Sequence, residues 1–135
     1  MALDEDIAAL TRGMLRKKLY VVLSRGKGAD LKAFLPEHLR YMIVLEKEGK
    51  LFASGPFDMG TSGDGMTILR VHSSEEARAI AERDPFVINK IRTFEIREWT
   101  LMEGSFGVNV NFSDRSRRRT LPSKSIRGFR RCEFY

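Results

Sequence analysis

Four short runs rich in apolar and β-branched residues, over 19–24, 51–54, 66–72 and 92–99, alternate with two amphipathic segments. Their order is strand, helix, strand, strand, helix, strand. This order restricts the fold more than any other feature, because each apolar face must be covered by a neighbouring element. Leu19-Tyr20-Val21-Val22-Leu23-Ser24 is closed by Arg25-Gly26-Lys27-Gly28. The segment 30–49 predicts the main helix. Pro36 suits a first helical position, where its missing N–H costs nothing, and Gly49 suits a left-handed stop. Phe34, Leu35, His38, Leu39, Met42 and Leu45 fall on one face at helical spacing.

The second strand ends at Gly55-Pro56, and a loop rich in Gly and Asp follows over 57–64. After the third strand, Ser73 with Glu76 forms a capping box. The second helix carries Ala77, Ile80 and Ala81 inward and stops at Asp84-Pro85, since the residue before proline avoids the helical region. Phe94 and Ile96 share one face of the fourth strand. A short helix is expected ahead of all this, capped by Asp4 and running toward Arg16-Lys17-Lys18. An additional half-buried strand is expected where Phe106, Val108, Val110 and Phe112 alternate with polar residues and glycine.

The order β-α-β-β-α-β with an additional C-terminal strand is the ferredoxin-like, α+β pattern. Three regions follow: a helical extension over 1–18, the ferredoxin-like domain over 19–112, and a basic tail over 113–135. Two helices cover one face of the sheet and leave the other bare. An exposed apolar face of that size is unusual on a monomer, so a homodimer packed face to face is expected.

Charge does not identify a ligand for the domain. Of 24 basic and 18 acidic groups, 8 and 2 lie from Ser113 onward, which leaves 16 of each sign in residues 1–112. The tail alone is basic, with Phe129, Phe134 and Tyr135 among its arginines. Contact with nucleic acid or an anionic surface is the sharper reading of the tail; a solvated, poorly ordered extension is the plainer and preferred one. No apolar run reaches the roughly 18–20 residues needed to span a bilayer, so no membrane partner is expected. The acidic start is unlike a secretory signal, and Cys132 is the only cysteine. Both fit a cytoplasmic protein.

Two histidines are present. His72 reads as a solvated strand-end residue. His38 differs, because it sits within an apolar stripe, and a polar ring there needs a partner or costs about 1–3 kcal/mol. A structural histidine satisfied by a backbone group would meet that need, just as Asp84 before Pro85 is explained by helix termination alone. The topology supplies the alternative. The end of the second helix approaches the start of the first, so Asp84 can meet His38. A carboxylate beside an imidazole favours its protonated form and fixes its tautomer, which suits general acid/base work. Arg40 and Tyr41 lie off the stripe and are left out of the site.

His38-Leu39 after Pro36, Gly49-Lys50-Leu51, Ala53-Ser54-Gly55-Pro56 and Asp84-Pro85-Phe86 keep the order and spacing of the YCII-related domain family over residues 19–100. The chain resembles that family, and the closing 99–105 segment resembles one of its subgroups. The resemblance implies a dimeric α/β barrel of ferredoxin-like units with a pocket centred on His38 and Asp84 as the catalytic pair. It places Ser54, Gly55 and Pro56 in the lining as substrate-binding residues. Families similar to it include dehydrochlorinases of chlorinated hydroxyhydroquinones and muconolactone isomerases, which move protons without a cofactor. It therefore implies a cofactor-independent lyase, isomerase or dehydrohalogenase for a small molecule. A non-catalytic ligand-binding or dimerisation module remains the alternative. The glycines at 26–28 and 60–65 match no nucleotide-binding fingerprint and read as flexible connections, the second able to close over the pocket. No ligand spacing for a metal is present.

Overall fold

The computed structural model describes residues 2–114 and the backbone of residues 117–120. It divides into two compact units, Met1–Met102 and Glu103–Tyr135.

The first unit contains α1 (Ala2–Thr11), β1 (Lys17–Gly26), α2 (Leu35–Lys47), β2 (Leu51–Pro56), β3 (Gly65–Leu69), α3 (Ser74–Glu82), α4 (Pro85–Ile88) and β4 (Arg92–Leu101). The strands form one sheet in the order β2-β3-β1-β4. Every adjacent pair is antiparallel, with Tyr20 opposite Leu69 and Glu98, and Ser54 opposite Thr67. This is the ferredoxin-like, α+β arrangement that the element order predicts.

Side chains alternate across the sheet, so each strand serves two faces. Tyr20, Val22 and Leu69 point to the helices and join Met42 and Leu45 of α2 and Ala77, Ile80 and Ala81 of α3 in the main core. On the other face Leu19, Val21 and Ile68 form a second buried cluster, with Leu23, Met66 and Leu101 against it. That face is therefore less bare than the topology alone suggests.

Local chemistry explains most boundaries. Pro36 stands in the first turn of α2, and Gly49 takes φ of 76° just beyond its end. Ser73 caps α3 by accepting the Glu76 N–H at 3.1 Å. Glu76 does not complete the capping box on Ser73, because its Oε2 accepts the N–H of His72 instead. The apolar stripe of α2 is only half used. His38, Met42 and Leu45 are buried, while Leu35 and Leu39 are exposed with Ile43. The apolar arc is wider than one sheet layer can cover.

Three expectations about the ends need correction. Asp4 lies inside the first turn of α1 and does not cap it, and the helix ends at Thr11. Asp84-Pro85 does more than end the second helix, because α4 starts at Pro85. The additional strand forms as β5 (Gly107–Val110) in the second unit and pairs antiparallel with β6 (Arg117–Thr120), not with the four-stranded sheet. Phe106, Val108, Val110 and Phe112 are exposed, so the strand is not half-buried as its alternation predicts. Apart from Ser113, Asp114 and that strand, the tail lies outside the described residues.

The glycine-rich loop is anchored at its C-terminal end. Asp64 Oδ1 accepts the Gly26 N–H at 2.8 Å, and the Gly63 carbonyl accepts from Arg92 Nε at 2.8 Å. Loop and strand touch so closely that a Cβ on Gly26 would lie 3.0 Å from Gly63 Cα. This contact holds the loop against the end of the sheet where the polar residues collect.

Candidate active site

The site is built where α2, α4 and the ends of β1 and β4 meet. Asp84 leaves the helical region, and the chain restarts at once as α4 with Pro85 first. Its side chain caps α4: Oδ1 accepts the Phe86 N–H at 3.0 Å. Asp-Pro is thus a cap followed by a first-turn proline, a signal that the sequence carries. Capping aims the carboxylate toward α2. There His38 Nδ1 lies 2.8 Å from the same Oδ1.

His38 and Asp84 are only 9% and 6% exposed. Oδ1 accepts both hydrogen bonds, and Oδ2 has no protein donor among the described residues. A carboxylate has no proton to give, so Nδ1 must carry the hydrogen and donate it. In the neutral ring Nε2 then holds the lone pair. Nε2 has no protein partner among the described residues. The ring is also fixed in plane: it stacks on Phe86 with centroids 4.2 Å apart and 19° between planes. Phe86 is fully buried, so the platform is rigid.

Tyr41 belongs to this framework. Its spacing puts it off the apolar stripe of α2, yet it packs against the main core. Its hydroxyl donates to the Ile80 carbonyl at 2.7 Å, tying α2 to α3. Burial pushes its phenol above the ordinary value; Arg83 opposes this, and the carboxylates of Asp84 and Glu48 add to it. The phenol remains a donor.

A cavity of about 10 Å³ lies between the helices and the sheet, lined by Ser24, Met42, Thr67, Ile80, Asp84 and Val87 among others. That is room for about one water molecule. Ser24 faces it from β1, buried and with its hydroxyl on no protein partner among the described residues. It was missed because it sits in an apolar run and reads as a strand end. Arg92, also missed, is 8% exposed at the start of β4. Its Cζ lies 4.6 Å from the Phe86 ring centroid. Burial pushes its guanidinium below the ordinary value, opposed by the charges of Asp84 and Asp64. A buried arginine at a strand start is invisible to periodicity, which reads a charge there as solvated.

Ser54, Gly55 and Pro56 are arranged differently from the pair. They line a groove of about 250 Å³ with Ala53, Phe57, Met66 and Ile68. Met66 and Ile68 belong to the sheet face away from the helices, whereas His38 and Asp84 lie on the helix side. Ser54 connects the two: its hydroxyl is 3.2 Å from Thr67 Oγ1 and 3.7 Å from Met42 Sδ, and both residues line the small cavity. His72 is exposed just beyond β3. Among the described residues no group of three or more His, Cys, Asp or Glu side chains could hold a metal ion. No helix among them is long and apolar enough to cross a membrane.

No curated protein sequence matches this chain. Among solved structures it is similar to 5-chloro-2-hydroxyhydroquinone dehydrochlorinase from Burkholderia phenoliruptrix AC1100, determined in complex with 2,5-dihydroxybenzoquinone. The identity is 18% over 60% of this chain and 92% of that one, with a TM-score of 0.49. Residues 18–100 match the family model of the YCII-related domain. That segment holds the whole four-stranded sheet but for one residue at each end, together with α2, α3, α4 and the His38–Asp84 contact, and the chain belongs to the YCII-related domain family.

Proposed function

We propose that the protein is a cofactor-independent acid/base enzyme of lyase, isomerase or dehydrohalogenase type, acting on a small organic molecule. One observation carries this reading: a buried imidazole whose Nδ1 is committed to Asp84 Oδ1 at 2.8 Å while Nε2 has no protein partner among the described residues. His38 is the base and Asp84 the residue that orients it. A proton passes from a carbon next to a carbonyl to Nε2, and the C–H bond pair moves onto the carbonyl oxygen as an enolate. Return of the proton at another carbon completes an isomerisation. Expulsion of a leaving group with that electron pair completes an elimination. Asp84 stabilises the imidazolium formed between these steps.

Transfer of solvent deuterium tests this without knowledge of the net reaction. The protein is incubated in D2O with a panel of hydroxyquinones, unsaturated lactones and 2-oxo acids, and carbon-bound deuterium is read by NMR. Incorporation above the uncatalysed rate is expected for at least one class. Binding of panel members with no exchange in any would favour a ligand-binding module, in which the pair only ties α2 to α4.

The protein is further read as a homodimer packed through the sheet face away from the helices. The groove formed by Ala53, Gly55, Pro56, Phe57, Met66 and Ile68 opens on that face, and Phe57 and Trp99 are exposed. In such a dimer Gly55 and Pro56 would meet a ligand from the partner's side. Sedimentation at micromolar concentration is expected to give twice the chain mass of 15.5 kDa; a monomer there would remove this reading.

A further inference from the structure

Arg92 is costly where it lies. Taking a guanidinium out of water costs several kcal/mol unless an anion compensates it. Among the described residues no carboxylate is within ion-pair distance. Its Nε donates to the Gly63 carbonyl at 2.8 Å, a neutral acceptor. Its Nη1 and Nη2 have no protein acceptor among the described residues, although every sealed side-chain nitrogen and oxygen there has a partner. The two nitrogens are therefore not sealed from solvent.

The absence of a side chain at residue 65 lets the guanidinium lie close against the sheet. Gly65 on β3 is buried, and a Cβ there would lie 3.2 Å from Arg92 Nη2, 3.4 Å from Nη1 and 3.3 Å from the Gly55 carbonyl. Phe86 carries both the His38 ring at 4.2 Å and the Arg92 guanidinium at 4.6 Å from its centroid. The two groups thus rest on one buried phenyl ring. Ser24, opposite Gly65 in the sheet, adds a free hydroxyl on the same side as the helices. Four residues, each more than nine-tenths buried, then present polar atoms without protein partners: His38 Nε2, Asp84 Oδ2, Ser24 Oγ and the Arg92 Nη atoms.

We propose that Arg92 binds an anionic oxygen of the substrate through Nη1 and Nη2, so that the substrate carries a carboxylate, phenolate or enolate oxygen. This deepens the acid/base reading and rests on it for the fate of the bound anion. A planar guanidinium offers two parallel donors to such an oxygen pair. It is also the group that would hold the enolate oxygen as charge develops there. Lysine keeps the charge but not the fork.

The test compares benzoate with benzamide, the same ring with and without the charge, by calorimetry and by the Arg92 Nε–H resonance. Wild type is expected to bind benzoate at least tenfold more tightly than benzamide, and benzoate to shift that resonance. Arg92→Gln should erase the preference, and Arg92→Lys should keep part of it. Equal affinity for the two ligands in wild type, or an unchanged preference in Arg92→Gln, overturns the proposal. If Arg92→Gln fails to fold, the wild-type resonance decides: no shift at saturating benzoate overturns it as well. Arg92-dependent binding without deuterium exchange would leave the anion site standing and remove the acid/base reading. Exchange without benzoate preference would do the reverse.

Discussion

His38→Gln is expected to slow deuterium exchange into an accepted compound by about 10²–10⁴-fold, the usual contribution of a positioned general base. Glutamine offers an amide that can still donate to Asp84 Oδ1, but no group that takes a proton near neutral pH. Unfolding should change little by comparison, because the lost ring stack on Phe86 is worth only about 0.5–1.5 kcal/mol. Asp84→Asn provides the second arm. The amide oxygen can still accept from Phe86 N–H and from His38 Nδ1–H, so α4 keeps its cap and the ring its tautomer. What disappears is the negative charge that stabilises the imidazolium. Exchange should fall while the urea midpoint moves little. Asp84→Ala should instead lose the cap, at about 0.5–2 kcal/mol, and leave a buried N–H unpaired, at about 1–3 kcal/mol. Full exchange in both His38→Gln and Asp84→Asn would show that the pair is structural.

Phe86→Ala is expected to have the largest effect on stability, about 3–5 kcal/mol by urea denaturation. In a chain of this size that corresponds to a Tm lower by on the order of 10–20 °C. The ring is 1% exposed and contacts both His38 and Arg92. Removing it opens a cavity and frees the imidazole and the guanidinium together, so anion binding and exchange should weaken with stability. Phe86→Leu separates the two effects: it refills much of the volume and has no flat face to stack on. A leucine variant with normal exchange would mean that packing, not the aromatic plane, positions His38.

The site shows where a linear reading reaches and where it stops. His38 was conspicuous because a polar ring interrupts the stripe formed by Met42 and Leu45, and periodicity detects such interruptions. Asp84 was visible as a helix stop. Its second role, capping α4, was available from Asp-Pro-Phe but needed the chain after it to be read as a helix and not as a connection. Ser24 and Arg92 were not visible. A serine at the end of an apolar strand and an arginine at the start of another read as boundary residues, and burial decides otherwise.

By itself the sequence determined the order of β1 to β4 with α2 and α3, the strand pairing that this order implies, the Pro36 start and Gly49 stop of α2, and the Ser73 cap of α3. These follow from local periodicity and turn chemistry, which act over a few residues. The tertiary structure decided which apolar side chains are covered, so that Leu39 and the alternating residues of β5 are exposed while Arg92 is buried. It also brought Nδ1 of His38 within 2.8 Å of a carboxylate 46 residues away. Contacts of that separation depend on how the helices lie across the sheet. No local preference encodes that geometry; only the packed layers fix it.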